Sequence, residues 1–436
     1  MTLFGNIWWL LVLLGVMIII HELGHYLAAR YFDVRIDTFS IGFGPRMFGF
    51  RRGETDFRVS WVPFGGYVKM AGEHPGDEND PRGFQAKPRW QRLIIAFAGP
   101  AMNIVLAVFL LTGLYMFEFP KMASAVERPK IGYVKADSPA ARAGLKEGDI
   151  LVSIGTKRTE TWEDVVLKEY VSAGVPLPVL YERDGETQNV LITPLLDERA
   201  GVGMAGWSAW TDIEIGGLLA GMDAEKKGLR KGDKLISING KPIRTIYTVH
   251  DEVKASKGNP VVIVTERGGS PMEFSVIPKE SDADGAKRWM LGVELAPKMV
   301  YLKLGFPEAV AQAVDHNIKG ATLIFQFLQA IVERRSSPKS LEGPIRIAQL
   351  SGDAAREGAT SFISLMATVS LNLAIFNLLP IPILDGGMIL LLLIEMAIRR
   401  DMSLALKENI LKLGFVFLMV MVVFVLYNDI SKLLPG

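Results

Sequence analysis

The chain has 436 residues, of which 49% are hydrophobic, and its mean hydropathy of +0.25 lies above that of most soluble proteins. Lysine plus arginine (48) nearly equals aspartate plus glutamate (47), so the charge balance gives no indication of a nucleic-acid partner. No cysteine is present, which excludes disulfides, thiolate metal ligands and a cysteine nucleophile. A protein-bound metal would therefore need His, Asp or Glu ligands.

The first apolar segment, residues 1–20, carries no charge and predicts a first transmembrane helix over residues 1–32. We expect this helix to be retained, because it lacks the basic start and the small-residue cleavage site of a signal peptide. It ends in His21-Glu22-Leu23-Gly24-His25. On a helix both imidazoles share one face and can bind one metal, with Glu22 placed to accept a proton from water. The pattern also occurs by chance, usually in soluble helices, but ionisable groups at membrane depth favour a functional role.

The loop over residues 33–90 is basic, with eleven Lys or Arg from Arg30 to Arg92, which places it on the cytoplasmic side. Alternation over residues 57–61, between Gly and Pro clusters at 42–45 and 63–66, predicts a β-hairpin. Two interpretations stay open. The hairpin is either solvated or lies near the metal, where its free edge pairs with an extended substrate through Phe57, Val59 and Trp61.

A second apolar run predicts a transmembrane helix over residues 91–119. It contains Gly99-Pro100-Ala101-Met102-Asn103, whose small residues allow close approach to the first helix, and Asn103 can donate a hydrogen bond across that contact. We assign this stretch a structural role.

Residues 121–297 have a soluble composition and contain a repeat. The stretch that begins at Gly144 recurs at Gly228, and Glu182-Arg183-Asp184-Gly185 recurs as Glu266-Arg267-Gly268-Gly269. Short apolar strands, Gly-Asp turns and hairpin signals predict two tandem, mostly-β domains at 123–204 and 205–297.

The remaining chain predicts an amphipathic extracytoplasmic helical region at 303–357, a third transmembrane segment with a following helix at 358–398, and a fourth transmembrane helix at 404–431, with both termini outside. Pro380 and Pro382 must break the third helix. Because broken backbone is not tolerated against lipid, this stretch faces protein or a watery cavity, which directs Asp385 inward.

Asp385 is the carboxylate expected to complete a zinc site with His21 and His25, although it could instead cap the helix that begins at Gly386. His74, His250 and His316 are expected to lie away from the metal. Zinc with Glu22 as base implies peptide hydrolysis. A helical substrate must unwind first, and Asn372 and Asn377 could hydrogen-bond its opened backbone.

The histidine motif in the first span, Leu384-Asp385-Gly386 after the third, and the tandem domains between them resemble the site-2 protease family over nearly the whole chain. The resemblance implies a Zn²⁺ cofactor held by His21, His25 and Asp385, with Glu22 as the catalytic base. It identifies the tandem domains as PDZ-like and residues 39–68 as a membrane-associated β-hairpin. Ser138-Pro139-Ala140 looks like part of a carboxylate-binding groove, whereas the second copy reads Asp223-Ala224-Glu225.

The implied fold is a polytopic α-helical membrane protein with four transmembrane segments, a cytoplasmic-side membrane-associated β-hairpin and two tandem mostly-β PDZ-like domains. The implied function is intramembrane cleavage of single-span membrane proteins, such as an anti-sigma factor after a first cut and remnant signal peptides, in regulated proteolysis during stress. The expected location is the bacterial inner membrane with the PDZ domains on the periplasmic side. They would screen substrates by size or by binding peptide C-termini.

Two other classes of function compete with this hypothesis. A non-catalytic membrane scaffold would be expected to lack a ligand or the base, whereas His21, Glu22, His25 and Asp385 are all present. A transporter with Glu22 and Asp385 as a proton relay would be expected to show internal symmetry among its spans, which the sequence does not show.

Overall fold

The computed structural model describes residues 2–72, 80–117, 119–197, 200–283, 286–333, 335 and 343–433. It divides into two compact units, namely Met1–Phe119 with Lys303–Phe325 and Leu341–Gly436, and Pro120–Leu302 with Gln326–Ser340. Within the described ranges, four helices are long and apolar enough to cross a membrane: Phe4–Tyr31, Arg89–Met116, Ala359–Leu378 and Leu406–Ser431. They fall on the four apolar segments predicted from the sequence. The prediction for His74 lies outside the described residues.

The chain begins with helix α1 (Thr2–Tyr31), followed by the antiparallel strands β1 (Ile36–Arg52) and β2 (Thr55–Met70). The predicted hairpin is present and longer than expected. Its Gly and Pro clusters were predicted to lie at the ends of the strands, but they lie inside them. Gly42 and Gly65 have φ of +87° and +90°, a conformation that glycine adopts without strain, and the strands bend there.

The bends turn two long strands into a sheet of four segments. Residues 38–41 pair with 66–69 on one side and with 56–59 on the other, and 55–60 pair in turn with 46–52. Among the residues that the structure describes, the segments at the two edges of this sheet are therefore 46–52 and 66–70.

Helix α2 (Arg89–Met116) packs closely against α1 through two glycines. A Cβ on Gly24 would lie 2.3 Å from the carbonyl oxygen of Ala98, and a Cβ on Gly99 would lie 2.3 Å from Nε2 of His25. The close approach predicted from the small residues of α2 is confirmed, because neither position has room for a side chain.

Strand β3 (Phe119–Met122) pairs with β20 (Met299–Leu302) and leads into the first module, which follows the predicted mostly-β pattern. Its sheet has the strand order β6-β5-β7-β8, and β4 pairs with β11 and β9 with β10. Its remaining elements are β4 (Ile131–Val134), α3 (Pro139–Arg142), β5 (Ile150–Ile154), β6 (Lys157–Arg158), α4 (Trp162–Tyr170), β7 (Leu177–Arg183), β8 (Glu186–Ile192), β9 (Leu195–Asp197), β10 (Val202–Met204) and β11 (Trp207–Ala209).

The second module repeats this order of elements, as the sequence repeat predicts. Its elements are β12 (Ile213–Leu218), α5 (Asp223–Lys226), β13 (Lys234–Ile238), β14 (Lys241–Pro242), α6 (Ile246–Ser256), β15 (Val261–Arg267), β16 (Ser270–Val276), β17 (Lys279–Ala283), β18 (Ala286–Met290), β19 (Val293–Pro297) and β20 (Met299–Leu302). Equivalent ion pairs fix the Gly-Asp turn in each copy, at 2.7 Å between Arg183 and Asp149 and 2.6 Å between Arg267 and Asp233. His250 is exposed on α6, as expected.

The boundary predicted between the modules, after residue 204, lies too early. Strand β11 pairs with β4 of the first module, and Ala205 and Trp207 are buried in that module's core beside Ile131 and Val165. A sequence repeat gives the period of a tandem fold but not where each copy closes. Here the closing strand comes after β10, so the first module extends to Ala209.

The C-terminal part of the chain is helical. It contains α7 (Phe306–Val332), α8 (Pro344–Glu357), α9 (Ala359–Leu378), α10 (Asp385–Ile398) and α11 (Leu404–Leu433). Helix α7 is the predicted amphipathic helix, and His316 on it lies 3.4 Å from the Tyr115 hydroxyl, away from His21 and His25. Asp429 of α11 accepts hydrogen bonds from the backbone N–H groups of Gly343 and Ile345, which satisfies the N-terminus of α8.

Candidate active site

The three predicted metal ligands meet although 360 residues separate His25 from Asp385 along the chain. Nε2 of His21 lies 3.1 Å from Oδ2 of Asp385, and Nε2 of His25 lies 3.5 Å from Oδ1. The two Nε2 atoms are 3.2 Å apart. Within the described part of the chain, this is the one group of His, Asp and Glu side chains close enough to hold a metal ion.

These spacings fit a tetrahedral zinc ion. Ligand atoms at about 2.0–2.1 Å from zinc lie about 3.3 Å from one another, and the three contacts of 3.1, 3.2 and 3.5 Å surround that value. Two imidazole lone pairs at 3.2 Å repel each other unless a proton or a cation lies between them. The donor set of two histidines and one carboxylate therefore fits the metal and leaves the fourth position open.

Hydrogen bonds to the other ring nitrogens hold both imidazoles in the metal-binding orientation. His25 donates from Nδ1 to the carbonyl oxygen of Ile95 at 2.8 Å, which leaves Nε2 as the free ligand. Nδ1 of His21 lies 3.3 Å from Nδ2 of Asn103. Among the described residues, Oδ1 of this fully buried asparagine has no hydrogen-bond partner. A half-turn of the amide lets Nδ1–H of His21 donate to Oδ1, and Nε2 of His21 then faces the metal.

A strained loop carries Asp385 to the histidines. Helix α9 ends before Pro380, and Ile383 has φ of +86°, which is unfavourable for a β-branched residue. A Cβ on Gly386 would lie 2.2 Å from the carbonyl oxygen of Leu379, and one on Gly387 2.4 Å from that of Ile381, so both glycines let the loop fold back on α10. Asp385 is the first residue of α10, and the N-cap position is occupied by Leu384. The structure therefore favours Asp385 as a metal ligand over Asp385 as a helix cap.

Glu22 lies beside the histidines and faces the edge segment of the hairpin sheet. Its carboxylate lies close to the backbone of Val68. A Cβ on Gly66 would lie 2.8 Å from Cγ2 of Ile18 and 3.1 Å from Cγ of Glu22, so a glycine is needed for this segment to approach α1. Residues 66–70 were not predicted from the sequence to lie at the site. The Gly65-Gly66 pair is the sequence feature that could have indicated their close approach to α1.

The site opens into a cavity of about 560 Å³, a volume typical of substrate sites. His21, Glu22, His25 and Asp385 line it together with Gly66, Tyr67, Val68 and Met70 of the sheet edge. Farther along its wall, the buried Glu395 pairs with Lys407 at 2.7 Å and accepts a hydrogen bond from the Met402 backbone. This ion pair was not foreseen from the sequence.

The predicted strand-pairing role is contradicted for Phe57 and Val59, whereas for Trp61 it stays a prediction. Phe57 pairs with Phe39 on one side and Phe50 on the other, and Val59 pairs likewise with Ile41 and Phe48. The backbone groups of Phe57 and Val59 are therefore already used within the sheet, and none of the three predicted residues is among those that line the cavity. The alternation was recognised correctly, but folding at the glycines makes this segment internal and leaves 66–70 as the edge at the site.

Asn372 and Asn377 are half-buried on α9 and are not among the residues that line the cavity. Their binding to an opened substrate backbone stays a prediction. Asn103, assigned a structural role from the sequence, lies in contact with His21 through its side chain. Its main-chain carbonyl oxygen also accepts a hydrogen bond from the hydroxyl group of Ser370 on α9.

The chain matches the family model described as Peptidase family M50 over residues 9–421. It is 29% identical over 450 residues to a protein of Vibrio cholerae serotype O1 named "Putative zinc metalloprotease", a match that covers 97% of this chain and 98% of the relative. It is 28% identical over 459 residues to the "Regulator of sigma-E protease RseP" of Escherichia coli strain K12, again covering 97% of this chain and 98% of the relative. The chain therefore belongs to peptidase family M50, the site-2 protease family, and is a zinc-dependent metalloprotease.

Proposed function

We propose that this protease holds zinc with His21, His25 and Asp385, uses Glu22 as its base, and cleaves single-span membrane proteins in or near the bilayer. The observation that carries the proposal is the convergence of three ligands at tetrahedral spacing, with a carboxylate beside them. His21, Glu22 and His25 lie on a helix long and apolar enough to cross a membrane, and Asp385 begins the short helix α10 that follows another such helix. Relatives named for regulation of sigma-E support an anti-sigma factor, after a first cut, as one substrate. Remnant signal peptides are a second substrate class.

When bound, zinc polarises the scissile carbonyl group and makes water acidic enough to lose a proton near neutral pH. Glu22 accepts that proton and returns it to the leaving amine. The carboxylate of Asp385 faces Nε2 of both imidazoles. Contacts of the Nδ1 atoms with Ile95 and Asn103 keep the rings from rotating.

The edge segment 66–70 positions the substrate. A helical substrate has its amides in internal hydrogen bonds, so it must become extended before hydrolysis. An extended chain gains new hydrogen-bond partners by pairing with a free sheet edge. Because Val68 of this edge contacts Glu22, a substrate strand laid along 66–70 has its peptide bonds beside the base.

The proposed setting is a bacterial inner membrane with the basic 33–90 loop in the cytoplasm and the two PDZ-like modules in the periplasm. The excess of lysine and arginine in that loop supports the orientation. The modules screen substrates there, either by excluding a bulky outer domain or by binding a newly exposed C-terminus.

The direct test is Glu22→Gln in the full chain in detergent. We expect zinc content by elemental analysis to stay near one per chain, while cleavage of a single-span substrate with a pre-shortened outer domain falls at least about 100-fold, the contribution typical of a general base. His25→Ala is the matched comparison and should lose both zinc and cleavage. Cleavage by Glu22→Gln at the rate of the unaltered enzyme would refute the assignment of the base.

A further inference from the structure

The first module has an open strand edge at β11. This strand pairs with β4 on one side and, among the residues that the structure describes, with no strand on the other. Helix α4 lies along that open side, where Trp162 makes an edge-to-face contact with Trp207 at 6.3 Å between ring centroids. A strand edge facing a helix is the arrangement in which an added peptide strand is bound.

A carboxylate of the module itself occupies the start of this edge. Oε1 of Glu169, on α4, accepts the backbone N–H of Ala205 at 2.5 Å, and Oε2 accepts the indole N–H of Trp207 at 2.9 Å. The carbonyl oxygen of Ala205 is bound on its other side by the N–H of Ala140. The backbone of Ala205 is therefore hydrogen-bonded on both sides. Its carbonyl oxygen accepts from Ala140, and its outward N–H donates to Glu169.

Burial of this group is costly and no cation compensates for it among its described interactions. Glu169 is 5% exposed, and burial raises its pKa to about 7 although both hydrogen bonds oppose the rise. A protein with an apolar side chain of similar volume at such a buried position is often as stable as one with the charged group. The buried carboxylate of Glu169 therefore indicates a role other than stability.

The second module provides that comparison within the same chain. The repeat places Val253 of α6 at the position of Glu169, and β19 pairs with β12 as β11 pairs with β4, which brings Leu291 to the position of Ala205. Val253 and Leu291 are both buried in the second core. The fold of the module is thus compatible with an apolar residue there, and the internal carboxylate is a feature of the first copy alone.

We infer that Glu169 is a specificity determinant that closes the first module to peptide C-termini by occupying the place of a terminal carboxylate. This inference rests on the proposed screening function of the module pair. An arriving carboxylate would find the Ala205 N–H and the Trp207 indole already bound, and would meet a like charge beside them. The first module therefore rejects free C-termini and screens by the bulk of what is attached to the substrate.

The test uses the full chain in detergent with Glu22→Gln as background, so that binding is measured without cleavage. The probe is a fluorescent peptide with an apolar last residue and a free carboxylate, compared with the same peptide amidated at its C-terminus. We expect Glu169→Ala to bind the free carboxylate at least 10-fold more tightly than the background chain does, with no gain for the amide. Glu163→Ala, which removes a half-buried carboxylate from the first turn of the same helix, should behave like the background.

Folding of the variant is checked with a small ligand. Glu169→Ala leaves two buried N–H donors around a space the size of a carboxylate, so sodium acetate should raise its melting temperature saturably while acetamide does not. Equal binding of the free-carboxylate peptide by background and Glu169→Ala chains would overturn the inference. So would a Glu169→Ala chain that acetate stabilises but that still does not bind the peptide. Because cleavage is not measured, either result leaves the assignment of Glu22 untouched.

Discussion

At the residue scale, the metal site depends on a position that has no side chain. The space over Gly99 on α2 is filled by the two imidazoles of α1, and the rings are fixed from behind by Ile95 and Asn103. The ligands were predictable because their chemistry is carried by residue type and by the spacing of a helical turn. The small residues around Gly99 also predicted that α2 lies close to α1, but not that the two imidazoles fill the space over Gly99, because that depends on how the two helices cross.

Gly99→Ala tests this arrangement. Its Cβ would lie 2.3 Å from Nε2 of His25 and 2.8 Å from Nε2 of His21, so both rings must shift from the positions in which they face Asp385. We expect zinc affinity, measured by competition with a chelator, to fall about 10- to 100-fold, as it does when ligand orientation is lost. Gly113→Ala on the same helix, where a Cβ meets nothing within 4 Å, should bind zinc normally. Unchanged affinity in Gly99→Ala would show that the rings are free to reorient.

At the scale of single elements, the fold of the hairpin sheet determines which backbone segment faces Glu22. Alternation correctly predicted strands around residues 57–61, but the pairing on both sides of that segment depends on the bends at Gly42 and Gly65. The edge next to Glu22 is therefore 66–70. The bends at Gly42 and Gly65 and the close contact of Gly66 with α1 determine that this segment faces Glu22.

Gly66→Ala tests the role of this edge. The new methyl group would lie 2.8 Å from Ile18, 2.9 Å from the carbonyl oxygen of Ser40 and 3.1 Å from Glu22, so the segment must move away from the base. A shift of about 1 Å at a catalytic contact can cost about 100-fold in rate. We expect kcat/KM for a single-span substrate to fall by that order while zinc content is unchanged.

Gly15→Ala, on α1 with nothing within 4 Å of the added Cβ, is the control and should cleave normally. Full activity of Gly66→Ala would remove the edge segment from the mechanism.

At the scale of the whole molecule, the pair of mostly-β modules is an insertion whose ends lie together. Strands β3 and β20 pair, and the N–H of Ala123 lies 3.4 Å from the carbonyl oxygen of Lys298. Insertions with adjacent ends can be removed with little effect on the fold that receives them. The pair can therefore be tested as a separate filter.

Replacing residues 123–297 with a short flexible linker should abolish discrimination. We expect the shortened enzyme to cleave a substrate with an intact outer domain as fast as one whose outer domain has been removed, because nothing then screens the approach to the site. Cleavage is measured for both substrates side by side, with the full chain as reference. Discrimination that persists in the shortened enzyme would locate the filter elsewhere.

The sequence by itself determined the chemistry of this protein and the list of its parts. His21, Glu22, His25 and Asp385 could be named because the two histidines stand one helical turn apart and Asp385 is the carboxylate attached to an apolar span on the same predicted face, and the apolar runs and the repeat gave the helices and the two modules. Tertiary structure alone decided which strand edge faces Glu22, where the first module closes, and that Glu169 lies against Ala205 and Trp207. These features follow from contacts between residues far apart in the chain, which local patterns of hydrophobicity and turn residues do not encode.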